Sequence, residues 1–388
     1  MRFVIFLAVS TLILGSLHYY VWTRLFRDPA WPAPWPRVGA LVMAALCLSI
    51  PLGFLLLRRF RDAGWHALRA LPFVWLGAAF LLLVVVASLD LLYLLARGVS
   101  ALLAWWRSDA GPLDPGRRIL VKRALAGAAA AATGGLTILA VRSARGEILT
   151  REVPVKLERL PRALDGLTLV QLSDLHVGLT IGRRFVESVV AEVARQRADA
   201  IVVTGDLVDG SVDELADLVA PLGALKARYG VFFIPGNHDY YAGIRPWLAQ
   251  VQRMGWRILL NARTTLGDAG AEGASIDLAG VDDPTGRPDL GRALGGRDPE
   301  RELVLLAHQP RAIREAAAAG VGLQLSGHTH GGQIWPFGLA VLAFQPYLAG
   351  LHRHGERTQI YVSRGTGYWG PPMRIGAPAE ITRLVLTV

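Results

Sequence analysis

Five short apolar runs in the second half of the chain each stop at residues of the types that bind metals, and this repeated pattern constrains the fold more than any other feature. The runs are Leu167 to Leu172 before Asp174 and His176, Ala200 to Val203 before Asp206, Val231 to Ile234 before Asn237 and His238, Leu303 to Leu306 before His308, and Leu323 to Leu325 before His328 and His330. Short, nearly continuous apolar runs of this kind predict buried strands. Strands lying side by side in a sheet packed against helices bring the loops at their carboxyl ends together, so residues far apart in sequence converge.

The donor types discriminate between metals. Imidazole nitrogens, carboxylates and one amide oxygen, without a thiolate, suit manganese, iron or zinc better than calcium or an iron–sulfur cluster. In the extended pieces Asp174/His176 and His328/His330, the i, i+2 spacing puts both side chains on one side of the backbone. Taken singly, a Gly-Asp after a strand is a turn and one buried histidine is a core residue; five such blocks in succession predict a dinuclear centre. Asp209, in the turn from Gly205 to Gly210, reads as a turn-stabilising carboxylate.

These blocks (SDLH, GDLVD, GNHD, LAH and SGHTH) resemble the calcineurin-like metallophosphoesterases, whose signature is D-x-H, G-D, G-N-H-[DE], a lone His and G-H-x-H. The resemblance implies one metal on Asp174, His176, Asp206 and His330, and a second on Asp206, Asn237, His308 and His328, with Asp206 bridging. Two such ions, roughly 3.5–4 Å apart, polarise phosphoryl oxygens and supply hydroxide near neutral pH. It also implies His238 as acid or charge stabiliser over the phosphate, with Asp239 as the carboxylate that orients it. Further blocks, Gly280 to Asp283 (GVDD), Leu305 to Pro310 (LLAHQP), Leu325 to Gln333 (LSGHTHGGQ) and Val362 to Tyr368 (VSRGTGY), are similar to the membrane-associated subgroup called transmembrane proteins with a metallophosphoesterase domain. Bacterial relatives of that subgroup include enzymes that cleave the pyrophosphate of UDP-2,3-diacylglucosamine in lipid A biosynthesis.

The first 150 residues follow a different pattern. Apolar runs at about Phe3 to Trp22, Val38 to Leu57, Leu71 to Leu89 and the Ala-rich Ala124 to Val141 each approach the roughly 20 residues needed to cross a bilayer as helix. Arginines and tryptophans flank them as interface anchors. Residues 1–150 hold 16 Lys+Arg against 6 Asp+Glu, and the remainder 25 against 25, so the net +10 belongs to the apolar half. That excess sits where anionic lipid attracts it, which argues against a nucleic-acid partner.

Lys and Arg near the spans number 8 on one side and 9 on the other, so the positive-inside rule does not orient the chain. The run from Gly116 through Arg117, Arg118 and Lys122 resembles a twin-arginine export signal and predicts an extracytoplasmic catalytic half. Asp90 ends the third run and is expected at the interface, with Leu91 to Trp106 continuing along the surface. Pro29 to Pro36, with Trp31 and Trp35, reads as an interfacial loop and Gly111 to Gly116 as a turn. Cys47 is alone, so no intrachain disulfide forms. Ile334 to Gly350, rich in Trp, Phe, Leu and Tyr, fits either an apolar wall for acyl chains or ordinary core, and Arg364 and Arg374 fit either forked phosphate donors or surface residues.

The expectation is therefore an α+β chain. An all-α transmembrane region at 1–148, with helices near 3–22, 38–57, 71–89 and 124–141, precedes a metallophosphoesterase domain at 149–388, whose αββα sandwich is implied by the resemblance. Expected with it are two divalent ions (Mn, Fe or Zn), a phosphodiester or pyrophosphate substrate that is small or lipid-linked, membrane lipids as partners, and a multi-pass location in a bacterial inner membrane. Two rival readings stand beside it: a monoesterase or nuclease acting on soluble substrates, and a transporter or sensor regulated by a phosphoesterase-like domain.

Overall fold

The computed structural model describes residues 2–56, 66–107, 115–267 and 274–388. The end of the second expected span at Leu57, the flanking Arg58, Arg59 and Arg61, and residues 111–114 of the expected turn lie outside the described residues, as do the side chains of Arg2, Arg69 and Arg107. The chain divides into two compact units, 1–142 and 143–388.

The first unit contains α1 (Arg2–Trp22), α2 (Trp35–Leu56), α3 (His66–Arg107) and most of α4 (Pro115–Arg145). Among the described residues, three stretches are long and apolar enough to cross a membrane: Trp35–Gly53, Ala70–Trp106 and Gly116–Arg145. The Ala-rich fourth run is thus one of them. Val21, Met43, Leu82, Val86 and Ala129, one or two from each helix, form a buried cluster. Gly116, expected in a turn, already lies in α4, and α3 runs unbroken through Asp90 to Arg107 instead of stopping there. At 1.5 Å per residue its 42 residues extend about 63 Å. Asp90 is held by Arg24 Nε at 2.6 Å and by the Tyr20 hydroxyl at 2.6 Å.

The second unit is built on two six-stranded sheets. Its strands are β1 (Leu149–Lys156), β2 (Thr168–Leu172), β3 (Ala200–Thr204), β4 (Val231–Ile234), β5 (Arg257–Ile258), β6 (Ala262–Gly267), β7 (Ser275–Gly280), β8 (Leu303–Leu306), β9 (Leu323–Ser326), β10 (Gly350–His354), β11 (Thr358–Val362) and β12 (Glu380–Thr387). The first sheet has the order β1-β12-β2-β3-β4-β5 and the second β10-β11-β9-β8-β7-β6. Strands β2 to β5 run parallel, as do β7, β8, β9 and β11, while β12 is antiparallel to β2 and β6 to β7.

The helices of this unit are α5 (Arg183–Gln196), α6 (Val212–Val219), α7 (Asn237–Tyr241), α8 (Ile244–Arg253), α9 (Leu290–Leu294), α10 (Ile313–Ala318) and α11 (Phe337–Val341). Side-chain alternation explains the layering. Along β3, Val202 joins Phe232, Ile234, Leu278, Leu306 and Leu325 in the core between the sheets. Its neighbours Ile201 and Val203 pack outward on Val186, Val189, Leu215 and Trp247 of α5, α6 and α8. On the far side of the second sheet, Ala279, Leu305 and Val362 meet Ile313 and Ala316 of α10. Parallel strands covered on both faces read as continuous apolar runs, which is why the sequence displayed them so plainly. The result is the αββα sandwich that the resemblance implied.

A buried amide ties the two sheets together. Gln171 Nε2, at the end of β2, donates to Thr204 Oγ1 at 2.9 Å in its own sheet and to the Ser326 carbonyl at 2.9 Å in the other. The loops that leave β2, β3, β4, β8 and β9 are thereby fixed at one edge of the sandwich.

Candidate metal centre

Those five loops carry the donors. Asp174, His176, Asp206, His328 and His330 all adopt positive φ, between 48° and 70°. Side chains with a Cβ rarely enter this region, and each such residue costs of order 1–3 kcal/mol unless its surroundings offset it. The loops are bonded to one another: Asp174 N–H donates to the Gly205 carbonyl at 3.0 Å and His176 N–H to the Asp206 carbonyl at 3.1 Å. His328 N–H donates to the Asp174 carboxylate at 2.9 Å, and His238 N–H to Asp206 Oδ1 at 2.8 Å. Glycine makes this closeness possible. A Cβ at Gly236 would lie 2.2 Å from Asp206 Oδ1, and one at Gly327 2.2 Å from Asp174 Oδ2.

Three overlapping groups result, each with donor atoms within 4.8 Å of one another: Asp174, His176 and His330; His176, Asp206 and His238; and Asp206, His308 and His328. His176 Nε2 lies 3.1 Å from His330 Nε2, and His330 Nε2 lies 3.5 Å from Asp174 Oδ1. His308 Nε2 lies 3.1 Å from Asp206 Oδ2, but the angle makes no hydrogen bond and the nitrogen is a buried, unpartnered atom. At the other end of the ring Nδ1–H donates to the Thr204 carbonyl at 2.7 Å, which turns Nε2 toward the cluster as the atom that offers a lone pair once its proton is lost. Asn237, at the start of α7, is buried with its Oδ1 also unpartnered. Orphaned lone pairs beside buried carboxylates are what a divalent cation satisfies, so the donor set fits two of them.

The electrostatics agree. Burial, then the His308 charge, pushes His328 down to about 4, and burial followed by His176 holds His330 well below the ordinary imidazole value. Neutral imidazoles are the ligand form. Burial also pulls on His176 and His308, but Asp209 and Asp206 respectively outweigh it and lift them to about 9 and about 10. A bound cation displaces those protons.

One expected contact is corrected. The Asp239 carboxylate does not reach the His238 ring; it accepts the backbone N–H groups of Gly236 at 2.8 Å, Asp206 at 2.9 Å and Leu207 at 2.9 Å, because α7 turns it back under the loops. The partner of His238 is Asp209, whose Oδ1 lies 2.7 Å from His238 Nδ1 and 3.1 Å from His176 Nδ1. Asp209 thus holds one ring of the donor cluster and the ring beside it with a single oxygen. Its spacing after Asp206 was the available signal, and in a Gly-Asp turn it read as a turn residue. The two arginines are also relocated. Arg374 is buried and donates to the carbonyls of Gly367, Ala377 and Arg364 beneath the His330 loop. Arg364 pairs with the buried Glu380 at 2.9 Å.

Most of the stretch after the last histidines is not core, although Ile334 and Gln345 are buried. Trp335 is 64% exposed and Phe344 82%, with Phe337, Leu339 and Leu342 also exposed. Gln333 joins this stretch to Trp369, donating from Nε2 to the Trp369 carbonyl and accepting from its N–H, both at 2.9 Å. Trp369 and Tyr241, both exposed, stand edge-on to His238 with ring centroids at 5.5 and 5.4 Å.

Residues 167–332 match the family described as calcineurin-like phosphoesterase. A transmembrane protein with metallophosphoesterase domain from Bos taurus is 34% identical over 399 residues, covering 97% of this chain and 87% of that protein. The chain belongs to the calcineurin-like phosphoesterases. A Danio rerio protein of the same description is 35% identical, again over 97% of this chain and 87% of its own length. An uncharacterized metallophosphoesterase of Helicobacter pylori is 42% identical over 243 residues, which cover 61% of this chain and 63% of that protein, so the chain spans just under two thirds of that relative. The calcineurin-like phosphoesterases are metal-dependent phosphoester hydrolases. Within this phosphoesterase the family match encloses all seven donors with His238 and Asp209, and leaves out the exposed Trp335 to Phe344 stretch and Trp369.

Proposed function

We propose that the chain is a membrane-anchored phosphohydrolase that cleaves a phosphodiester or pyrophosphate bond in an amphiphilic substrate, a diacyl sugar nucleotide such as UDP-2,3-diacylglucosamine being the type. Asp174, His176, Asp206 and His330 hold one divalent ion and Asp206, Asn237, His308 and His328 the other, manganese, iron or zinc, with residues 1–148 as membrane region and 149–388 as catalytic domain. Such a pair, when bound, supplies Lewis acidity and an activated water for in-line attack. His238, held through Nδ1 by Asp209 and free at Nε2 among the described residues, presents a proton to the leaving oxygen. Asp239 has no part in that transfer. It keeps the β3 and β4 loops in register, and with them Asp206 and Asn237.

The exposed apolar rim supports the amphiphilic class. Trp335, Phe337, Leu339, Leu342 and Phe344 follow the His330 loop within a dozen or so residues, and Trp369 stands against His238. Exposed apolar side chains gathered in one stretch fit an interaction site, and bilayer-length helices in the same chain favour an acylated substrate. The twin-arginine-like Arg117 and Arg118 support an extracytoplasmic catalytic half, which a C-terminal reporter fusion tests.

Two measurements test the rest. Manganese-stimulated hydrolysis of bis(p-nitrophenyl) phosphate by the full chain is expected and is lost in Asp206→Ala and His330→Ala; full activity in both variants overturns the centre. A diacyl sugar nucleotide is expected to be turned over in preference to nucleotides or single-stranded DNA. Leu339→Ser with Phe344→Ser raises KM for the acylated substrate alone, and faster turnover of the soluble substrates overturns the amphiphilic assignment.

A further inference from the structure

Within the first unit, Arg24, Asp28, Asp90, Arg118 and Lys122 line a cavity of about 200 Å³ whose remaining wall, Tyr93 apart, is apolar and includes Val86, Leu89, Ala126 and Ala129. Three cations face two carboxylates there, and both carboxylates are already engaged. Arg24 holds Asp90 at 2.6 Å and Asp28 at 2.5 Å, the Tyr20 hydroxyl also donates to Asp90, and Arg27 also donates to Asp28. The Lys122 charge is felt at Asp28, but no hydrogen bond or ion pair joins Lys122 or Arg118 to any described residue. They stand one turn apart on α4, with Ala126 and Ala129 following on the same face. Like charges at i, i+4 repel, so this face keeps two unmatched cations beside an apolar wall at a net cost unless an anion offsets it.

The surrounding aromatics fix the level of the cavity. Trp22 donates from Nε1 to the Pro36 carbonyl, Trp31 donates to the Leu25 carbonyl, and Arg123 stacks over Trp31 at 4.9 Å while donating to the carbonyls of Pro29 and Ala30. Tryptophan and tyrosine with arginine in this arrangement mark the headgroup depth of a bilayer, where lipid phosphates lie. We infer that the cavity binds the phosphate of an anionic phospholipid, with Arg118 and Lys122 on the phosphate and Val86, Leu89, Ala126 and Ala129 against the first part of the acyl chain. This site is independent of the hydrolytic reading of the other unit.

The test uses the full chain in a neutral detergent, with bound lipid followed by native mass spectrometry during titration with short-chain phosphatidylglycerol, phosphatidylcholine or inorganic phosphate. The wild-type chain is expected to retain one phosphatidylglycerol in preference to phosphatidylcholine. Arg118→Gln with Lys122→Gln weakens that binding about ten-fold or more, and Arg117→Gln, outside the cavity lining, leaves it unchanged. Ala126→Leu keeps every charge but fills the cavity, and is expected to abolish retention even if the double variant folds poorly. Equal losses in Arg117→Gln and the double variant overturn the proposal in favour of diffuse surface attraction. Equal retention of phosphatidylcholine overturns it as well, and displacement by inorganic phosphate as effective as by phosphatidylglycerol assigns the site to a free anion.

Discussion

Replacing Asp209 with asparagine separates the observed geometry from the contact that the motif suggested. Asparagine keeps the shape and one acceptor oxygen, but removes the charge that meets His238 at 2.7 Å and His176 at 3.1 Å. Hydrogen bonds to an ionised partner are roughly twice as strong as neutral ones, a difference of about 1 kcal/mol each. The Asp209 side chain is 28% exposed, so solvent screens only part of this. The two bonds together give about 2 kcal/mol, roughly 30-fold in all, of which about 5-fold is expected in turnover at saturating manganese and about 5-fold in manganese affinity, the product lying inside the 10- to 100-fold range usual for carboxylates that orient metal-binding histidines. The assay is hydrolysis of bis(p-nitrophenyl) phosphate by the full chain at saturating manganese, with a manganese titration beside it, because the His176 bond acts on affinity and the His238 bond on turnover. Asp209→Asn combined with His238→Asn is expected to be less damaging than the two losses multiplied, since the pair acts as a unit. Asp239→Asn, by contrast, loosens three backbone N–H contacts and is expected to lower the melting temperature. An Asp209→Asn enzyme within two-fold of wild type in both turnover and manganese affinity refutes the reasoning, as does an Asp239→Asn enzyme that is equally stable but equally impaired.

Chelation is expected to abolish hydrolysis and lower the melting temperature of the catalytic unit, with manganese at 100 times its Kd restoring about 2.7 kcal/mol; the thermal shift should be absent in His330→Ala. Gly236→Ala places a methyl 2.2 Å from Asp206 Oδ1 and is expected to reduce bound metal, measured by elemental analysis, in a chain that still folds. Phe232→Ala empties a fully buried position between the sheets and is expected to cost about 3–5 kcal/mol in denaturant unfolding of the catalytic unit.

The sequence displayed the catalytic unit best where physics leaves least freedom. Strands β2, β3, β4, β8 and β9 are covered on both faces, so their runs stand out, and the donors follow them at fixed short distances. Edge strands were less visible: β1 is exposed along most of its length, and its partner β12 comes from the other end of the domain, a pairing that no local pattern announces. The exchange of Asp239 for Asp209 has the same origin. The resemblance implied a His–Asp couple within Gly-Asn-His-Asp, but a helical turn rotates neighbouring side chains apart, and only the fold brings Asp209 across from another loop. Arg374 was opaque because burying a guanidinium requires a nest of carbonyls, supplied here by a glycine-rich segment whose path the composition does not specify. In the first unit, the charged Asp90 broke the apolar run and suggested an end to the span, yet Arg24 and Tyr20 neutralise it and the helix continues.

The Gln171 bridge has a mechanical consequence. Asp174, His176, Asp206 and Asn237 ride on one sheet and His308, His328 and His330 on the other, so how the two sets of donors meet is set by how the two layers are seated. Any slippage between them, from a remote cavity or a swollen interior, would pull the two sets of donors out of register. The geometry of the donor cluster is therefore a strain gauge for the interior of the sandwich.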